Sequence, residues 1–247
     1  MTDRDSKTIS RRMMLAGTGG ALMLGGCVTD DPGGLGGILS GGGALTEAEA
    51  AAGIRAALNN GIGSAISTIG VRDGFYLNNL IKIPLPGFLA DMQSTLAKIG
   101  LSGPLDTLET QLNRGAEAAV PVARDIFVDA VSSLSIQDAI GIVRGGDNAA
   151  TLFLQQKTTA PLTGLFTPIM SDALQKAGAV QTLDQIDKRL KAIPLSPRLG
   201  ANAKDDLIRH GVKYGLEGMF LYIGKEEAAI RANPAKRTSE ILRRVFG

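Results

Sequence analysis

Five polar side chains crowd one stretch of this sequence: Asn113, Arg114, Glu117, Asp125 and Asp129. Carboxylates set side by side in a cleft can divide acid and base work between them, or hold a hard cation. The same residues under a second layer of helices make a buried polar network that fixes packing instead. Arg114 and Asp125 lie opposite the apolar stripe of their helix, which leaves cleft, solvated face and buried network all open. A second candidate is Arg144-Gly145-Gly146-Asp147 at a helix start, where free backbone N–H groups attract anions. Asp147 is placed to cap those same donors and would repel a phosphate, which favours a plain helix–turn–helix corner. His210 is the only histidine and Cys27 the only cysteine. A zinc site built from those residue types is thereby excluded, and neither metal nor cofactor is expected. His210 has no Gly-x-Ser-x-Gly elbow to serve as base. Phe75 and Tyr76, with Ile81 to Pro86, read as a loop packed over the helices or as a binding edge. Glu226, Glu227, Arg231, Lys236 and Arg237 surround Asn233-Pro234 and read as surface ion pairs.

The elements that must position these groups are helices. Leu105, Leu108, Leu112, Ala116, Ala119 and Ala123 begin a stripe that continues through Phe127 to Leu134. It starts after Pro104, a favoured first-turn residue, and runs through Pro121, so the spacing predicts one long kinked helix. Thr46 and Glu49 form a capping box for a helix to Gly70, with Ile54, Leu58, Ile62 and Ile69 on one face. Pro84 and Pro86 exclude helix from the segment before Phe88 and leave at most an edge strand. A short helix follows from Phe88 to Ile99. Ser135 to Asp138 opens another in capping-box style, ended by Gly145-Gly146. Asp147 is expected to cap a helix to about Thr158, with a separate one reaching Ala177-Gly178 despite Pro168. Later helices are expected over Thr182 to Ile193, Ala203 to Asn233 and Ala235 to Val245. The fold class is all-α: one multi-helix bundle over residues 45–247, with a short irregular or β-edge segment near 75–86. Seven Phe, three Tyr and no Trp leave the core to be packed mainly by Leu, Ile, Val and Ala.

Ahead of that bundle the sequence reads as an address. Arg4, Lys7, Arg11 and Arg12 lead an apolar, glycine-rich stretch too short to span a bilayer. It ends in Leu24-Gly25-Gly26-Cys27, the pattern of a lipoprotein signal peptide (residues 1–26) cut before a cysteine that carries lipid. Ser10-Arg11-Arg12-Met13-Met14-Leu15 is similar to the twin-arginine export motif. Lipidated Cys27 and the glycine-rich residues 28–44 then form a tether spanning roughly 20–25 Å. Val28 after the cysteine favours the outer membrane, facing the periplasm, over the inner membrane. Four of the 26 bases and two of the 24 acids lie in the leader, so the remainder is neutral. From Lys176 onward bases outnumber acids 14 to 8, but without interleaved aromatics, and no nucleic-acid partner is expected.

Several motifs resemble a known family when taken together and in order. They are Asp73-Gly74-Phe75-Tyr76, Ile83-Pro84-Leu85-Pro86, Asn113-Arg114 with Glu117, and Asp125-Ile126-Phe127-Val128-Asp129-Ala130. Gly145-Gly146-Asp147, Gly218-Met219-Phe220, Ile230 to Pro234 and the closing Val245-Phe246-Gly247 continue the series. Residues 45 to 247 thus resemble the bacterial domain of unknown function 4197. The resemblance implies a helical, often lipid-anchored envelope protein and carries no activity with it. The leading expectation is therefore a non-enzymatic module that binds a partner protein of the envelope or an apolar ligand. A carboxylate-dependent enzyme with a cleft around Glu117 and Asp125 is one alternative, and an assembly scaffold is another.

Overall fold

Thr46 opens the first helix as its sequence requires. The Thr46 side chain accepts from the Glu49 amide, while the Glu49 carboxylate accepts from Thr46 N–H at 2.9 Å. The computed structural model describes residues 46–191, 200 and 202–232. Over these residues the chain is all-α: α1 Glu47–Ile69, α2 Gly87–Ala97, α3 Gly103–Val122, α4 Arg124–Ser132, α5 Ile136–Arg144, α6 Ala149–Lys176, α7 Ala179–Lys191 and α8 Ala203–Ala232. The described residues contain no strand. Cys27, Arg11, Arg12, the glycine-rich stretch and the expected helix from Ala235 to Val245 lie outside the described residues.

Three helices make the centre. α6 packs between α3 and α8, and α8 packs also on α1, with α4 and α5 closing the side along α1. The core is mostly aliphatic, as the aromatic count requires, with Phe127 and Phe220 meeting edge to face at 6.0 Å. α8 approaches its neighbours through glycine. A Cβ at Gly211 would sit 2.8 Å from Leu112 and from the Met170 sulfur. A Cβ at Gly218 would sit 2.8 Å from the Phe75 ring, which is fully buried. That close approach seats the loop between α1 and α2 against the bundle. No single described helix is long and apolar enough to cross a membrane.

The long α3–α4 run is interrupted at Ala123, two residues after Pro121. Pro121 supplies no N–H, and the chain tightens there, the Ala123 amide reaching both Ala119 and Val120 carbonyls at 3.2 Å. Both pieces keep burying the stripe seen in the sequence. The expected break near Thr158 is not there: α6 runs unbroken through Pro161 and Pro168. Its face of Leu154, Leu162, Phe166, Met170 and Leu174 is almost wholly buried, and that packing outweighs two lost backbone bonds. Ile81 closes a turn on Asn78, and residues 82–86 then run to an extended Pro86 without forming helix or joining a sheet.

Gly218→Ala should push a methyl group into Phe75 and Ile81. A loss of about 1–3 kcal/mol is expected, lowering Tm by roughly 2–4 °C per kcal/mol in a circular-dichroism melt. An unchanged melt would contradict this packing.

Candidate functional site

The five polar residues of the α3–α4 run do not share one environment. Asn113 and Glu117 are buried at 0% and 5% exposure, whereas Asp125 and Asp129 stand exposed on α4. The interruption at Ala123 and the buried face of α3 separate them into two groups.

Glu117 closes the turn that follows α1. Its Oε1 accepts from the backbone amides of Phe75 and Tyr76, both at 3.1 Å. Its Oε2 accepts from Arg114 at 2.6 Å, and Arg114 reaches on to Asp73 at 2.6 Å. Asp73 has a left-handed backbone with φ 68°, a conformation Asp tolerates better than most residues. Arg114 and Lys82 both stand over the Tyr76 ring, at 5.6 and 4.9 Å. One turn earlier on α3, Asn113 behaves as a short piece of strand. Its Oδ1 accepts from Ile83 N–H at 2.8 Å, and its Nδ2 donates to the Ile83 carbonyl at 2.9 Å. The amide thereby supplies the pairing that the segment around Ile83 lacks. Phe75 and Tyr76 are accordingly part of a loop packed on the helices, held from beneath by Asn113 and Glu117.

The turn at Gly145-Gly146 is built on the same device. The residue capping α6 is Asn148, not Asp147, and its side chain makes no cap bond. The first-turn donors are taken instead by Glu227 of α8. Ala150 and Thr151 donate their amides to its two oxygens at 3.0 and 2.8 Å, and the Thr151 hydroxyl adds a bond of 2.7 Å. An internal carboxylate occupies the place an anion would take, because a helix start attracts negative charge whatever its source. Arg231 completes the group, donating to Glu227 at 2.9 Å and to the Ile142 carbonyl at 3.0 Å. Glu227 and Arg231 are therefore not surface ion pairs: Glu227 is 8% exposed, since the α6 amides draw it inward. Sequence reasoning missed this tie. The signal was Glu227 falling in helical step with Ile223 and Ile230, an acid on an apolar face with an arginine one turn on. Lys236 and Arg237 lie outside the described residues.

His210 lies part-exposed on α8, its Nε2 2.8 Å from the Pro84 carbonyl and its ring 4.5 Å from Tyr214. Burial pushes its pKa below the usual imidazole value, against the opposing pull of the Pro84 carbonyl. Among the described residues no group of three His, Cys, Asp or Glu side chains is placed to hold a metal ion. No buried side-chain nitrogen or oxygen there lacks a hydrogen-bond partner.

A recess of another character lies between α6 and α8. It is a groove of about 550 Å³ with Thr159, Thr163 and Thr167 along one wall. Val212, Leu216 and Phe220 lie on the other. Each threonine hydroxyl donates to the carbonyl four residues back, at 2.6 to 2.8 Å, so its proton is directed into its own helix.

Fold and site together define an all-helical bundle whose inward polar side chains tie loops and helix ends together. Residues 44–247 match the model of a family described as Protein of unknown function (DUF4197), and the chain belongs to that family. No curated protein and no solved structure matches it.

Two measurements check the site. Glu117→Ala leaves the Phe75 and Tyr76 amides without their acceptor and Arg114 with Asp73 alone, and should cost about 1–3 kcal/mol in urea unfolding, whereas exposed Asp125→Ala should change it by under about 0.5 kcal/mol. For His210, the unfolded chain takes up its proton first as pH falls, so stability is full above about pH 6.5 and declines below it. A His210→Gln variant should show a flatter decline between about pH 7 and 5.

Proposed function

We propose that this chain is a lipid-anchored protein of the bacterial cell envelope, cut before Cys27 and held through that residue to the outer membrane, facing the periplasm. In this reading it is a non-enzymatic module, and the groove between α6 and α8 receives an apolar ligand or an apolar segment of a partner protein. The observation that carries the binding role is the groove itself. Its volume of about 550 Å³ falls within the roughly 300–1,000 Å³ typical of ligand sites. By contrast, Glu117 is already committed to the amides of Phe75 and Tyr76 and to Arg114, and Glu227 to the start of α6. The anchor is supported by Leu24-Gly25-Gly26-Cys27 and by the basic, twin-arginine-like leader around Arg11 and Arg12. A pair or more of acyl chains on one residue holds a protein durably to a bilayer, while a tether leaves its domain free to meet partners.

Native mass spectrometry of the full chain extracted from membranes tests both parts. The expected outcome is a lipid-sized mass increment on the N-terminal peptide and a retained apolar molecule or protein. Cys27→Ser should move the protein out of the membrane fraction. A Cys27→Ser protein that fractionates like the parent contradicts the anchor, and an extract carrying neither ligand nor partner contradicts the binding role.

A further inference from the structure

The groove has two unlike ends. α6 and α8 run antiparallel, with Met170 beside Gly211 and Phe166 beside Gly215. Arg209 and Lys213 therefore line one end, towards Thr167, Phe220 and Gln155 line the other, and the Glu217 carboxylate, one turn from Lys213, lies on the α8 wall between them. From Gln155 to Thr167 the α6 wall is about 18 Å long. The acyl region of one membrane leaflet is about 15 Å deep, half of a bilayer's hydrocarbon core. A single extended hydrocarbon chain thus fits the length of the groove.

Its lining also selects among apolar occupants. The three threonines present methyl groups and oxygen acceptors, with their hydroxyl protons already given to α6 carbonyls. Val212, Leu216 and Phe220 offer no polar atom from their side chains. An extended peptide lying there would leave backbone N–H and C=O groups without matched partners along most of its length, at a cost in desolvation. A hydrocarbon chain has no such groups. At the Arg209 end the balance changes. Arg209 pairs with Asp206, and Lys213 stands 3.9 Å from Glu217, in pairs whose side chains are all more than half exposed. Exposed pairs of this kind are weak and exchange partners readily. An entering carboxylate or phosphate can recruit both cations from one side, as α8 sets them four residues apart and one turn above each other.

We propose that the α6–α8 groove binds a single-chain anionic amphiphile, its tail along Leu216 and the threonine methyls and its acidic head on Arg209 and Lys213. This rests on the reading of the groove as the binding surface and names the chemistry of its occupant.

Myristate and tetradecanol, which share a tail and differ in the head, test it by calorimetric titration of the full chain carrying Cys27→Ser, kept free of detergent. Myristate should bind at least ten-fold more tightly than tetradecanol. The double variant Arg209→Ala with Lys213→Ala should remove that preference and leave tetradecanol unchanged. Thr163→Trp, an exposed position in the middle of the wall, should weaken both probes ten-fold or more with an unaltered melting curve. Equal affinity for the two probes, both lost in Thr163→Trp, overturns the anionic head while leaving an apolar groove. Binding that Thr163→Trp leaves untouched places the amphiphile elsewhere and overturns the proposal. If neither probe binds but a protein is retained on extraction from membranes, the amphiphile falls and the binding module stands.

Discussion

A carboxylate inside a helical bundle must be surrounded by donors, and this fold is arranged around two that are. Glu117 gathers the amides of Phe75 and Tyr76, and Glu227 gathers those of Ala150 and Thr151. Each has an arginine about one turn away on its own helix that neutralises the charge and reaches a further element. In water such pairs contribute little. Here the alternative is two amides without their acceptor and an arginine with one partner fewer, in a largely buried setting, so removal is costlier than the bond itself is strong. The first tie holds the loop between α1 and α2 onto α3. The second joins the start of α6, the end of α5 and the final turns of α8.

With those points held, the remaining packing follows from small residues. Gly211 and Gly218 let α8 lie close enough to α3, α6 and the loop for Phe75 to become wholly buried. α6, pinned at its start by Glu227 and covered along one face, tolerates two internal prolines. The same placement leaves the adjoining threonine edge of α6 bordering α8 as an open groove. Asn113, Arg114, Glu117 and Glu227 thus direct their polar atoms to ties within the fold, while the groove between α6 and α8 is lined by threonines and apolar side chains with Arg209, Lys213 and Glu217 among them.

What could be read in advance divides by the distance over which it is decided. The capping boxes at Thr46–Glu49 and Ser135–Asp138 are local, and both form as the sequence suggests. The apolar stripe from Leu105 to Leu134 is likewise a property of one helix, and its burial was legible through the interruption at Ala123. The role of Glu117 was not, because the amides it holds come from 41 and 42 residues earlier in the chain. Glu227 was harder still: its partners lie 76 and 77 residues away, and an acid beside Glu226 and Arg231 looks like any solvated helix end. The break expected near Thr158 was overridden by packing, and α6 runs on through Pro161 and Pro168. The groove could not be seen at all, since it exists only where α6 and α8 meet.

Amide hydrogen exchange at Phe75, Tyr76, Ala150 and Thr151 tests the central role of the two carboxylates most directly. These four N–H groups sit in a loop and a first helical turn, where exchange is ordinarily fast. Protection close to that of the buried face of α6 is the result this account predicts, with Glu117→Gln selectively weakening it at Phe75 and Tyr76. Exchange at the rate of an open surface loop in the parent protein would contradict it.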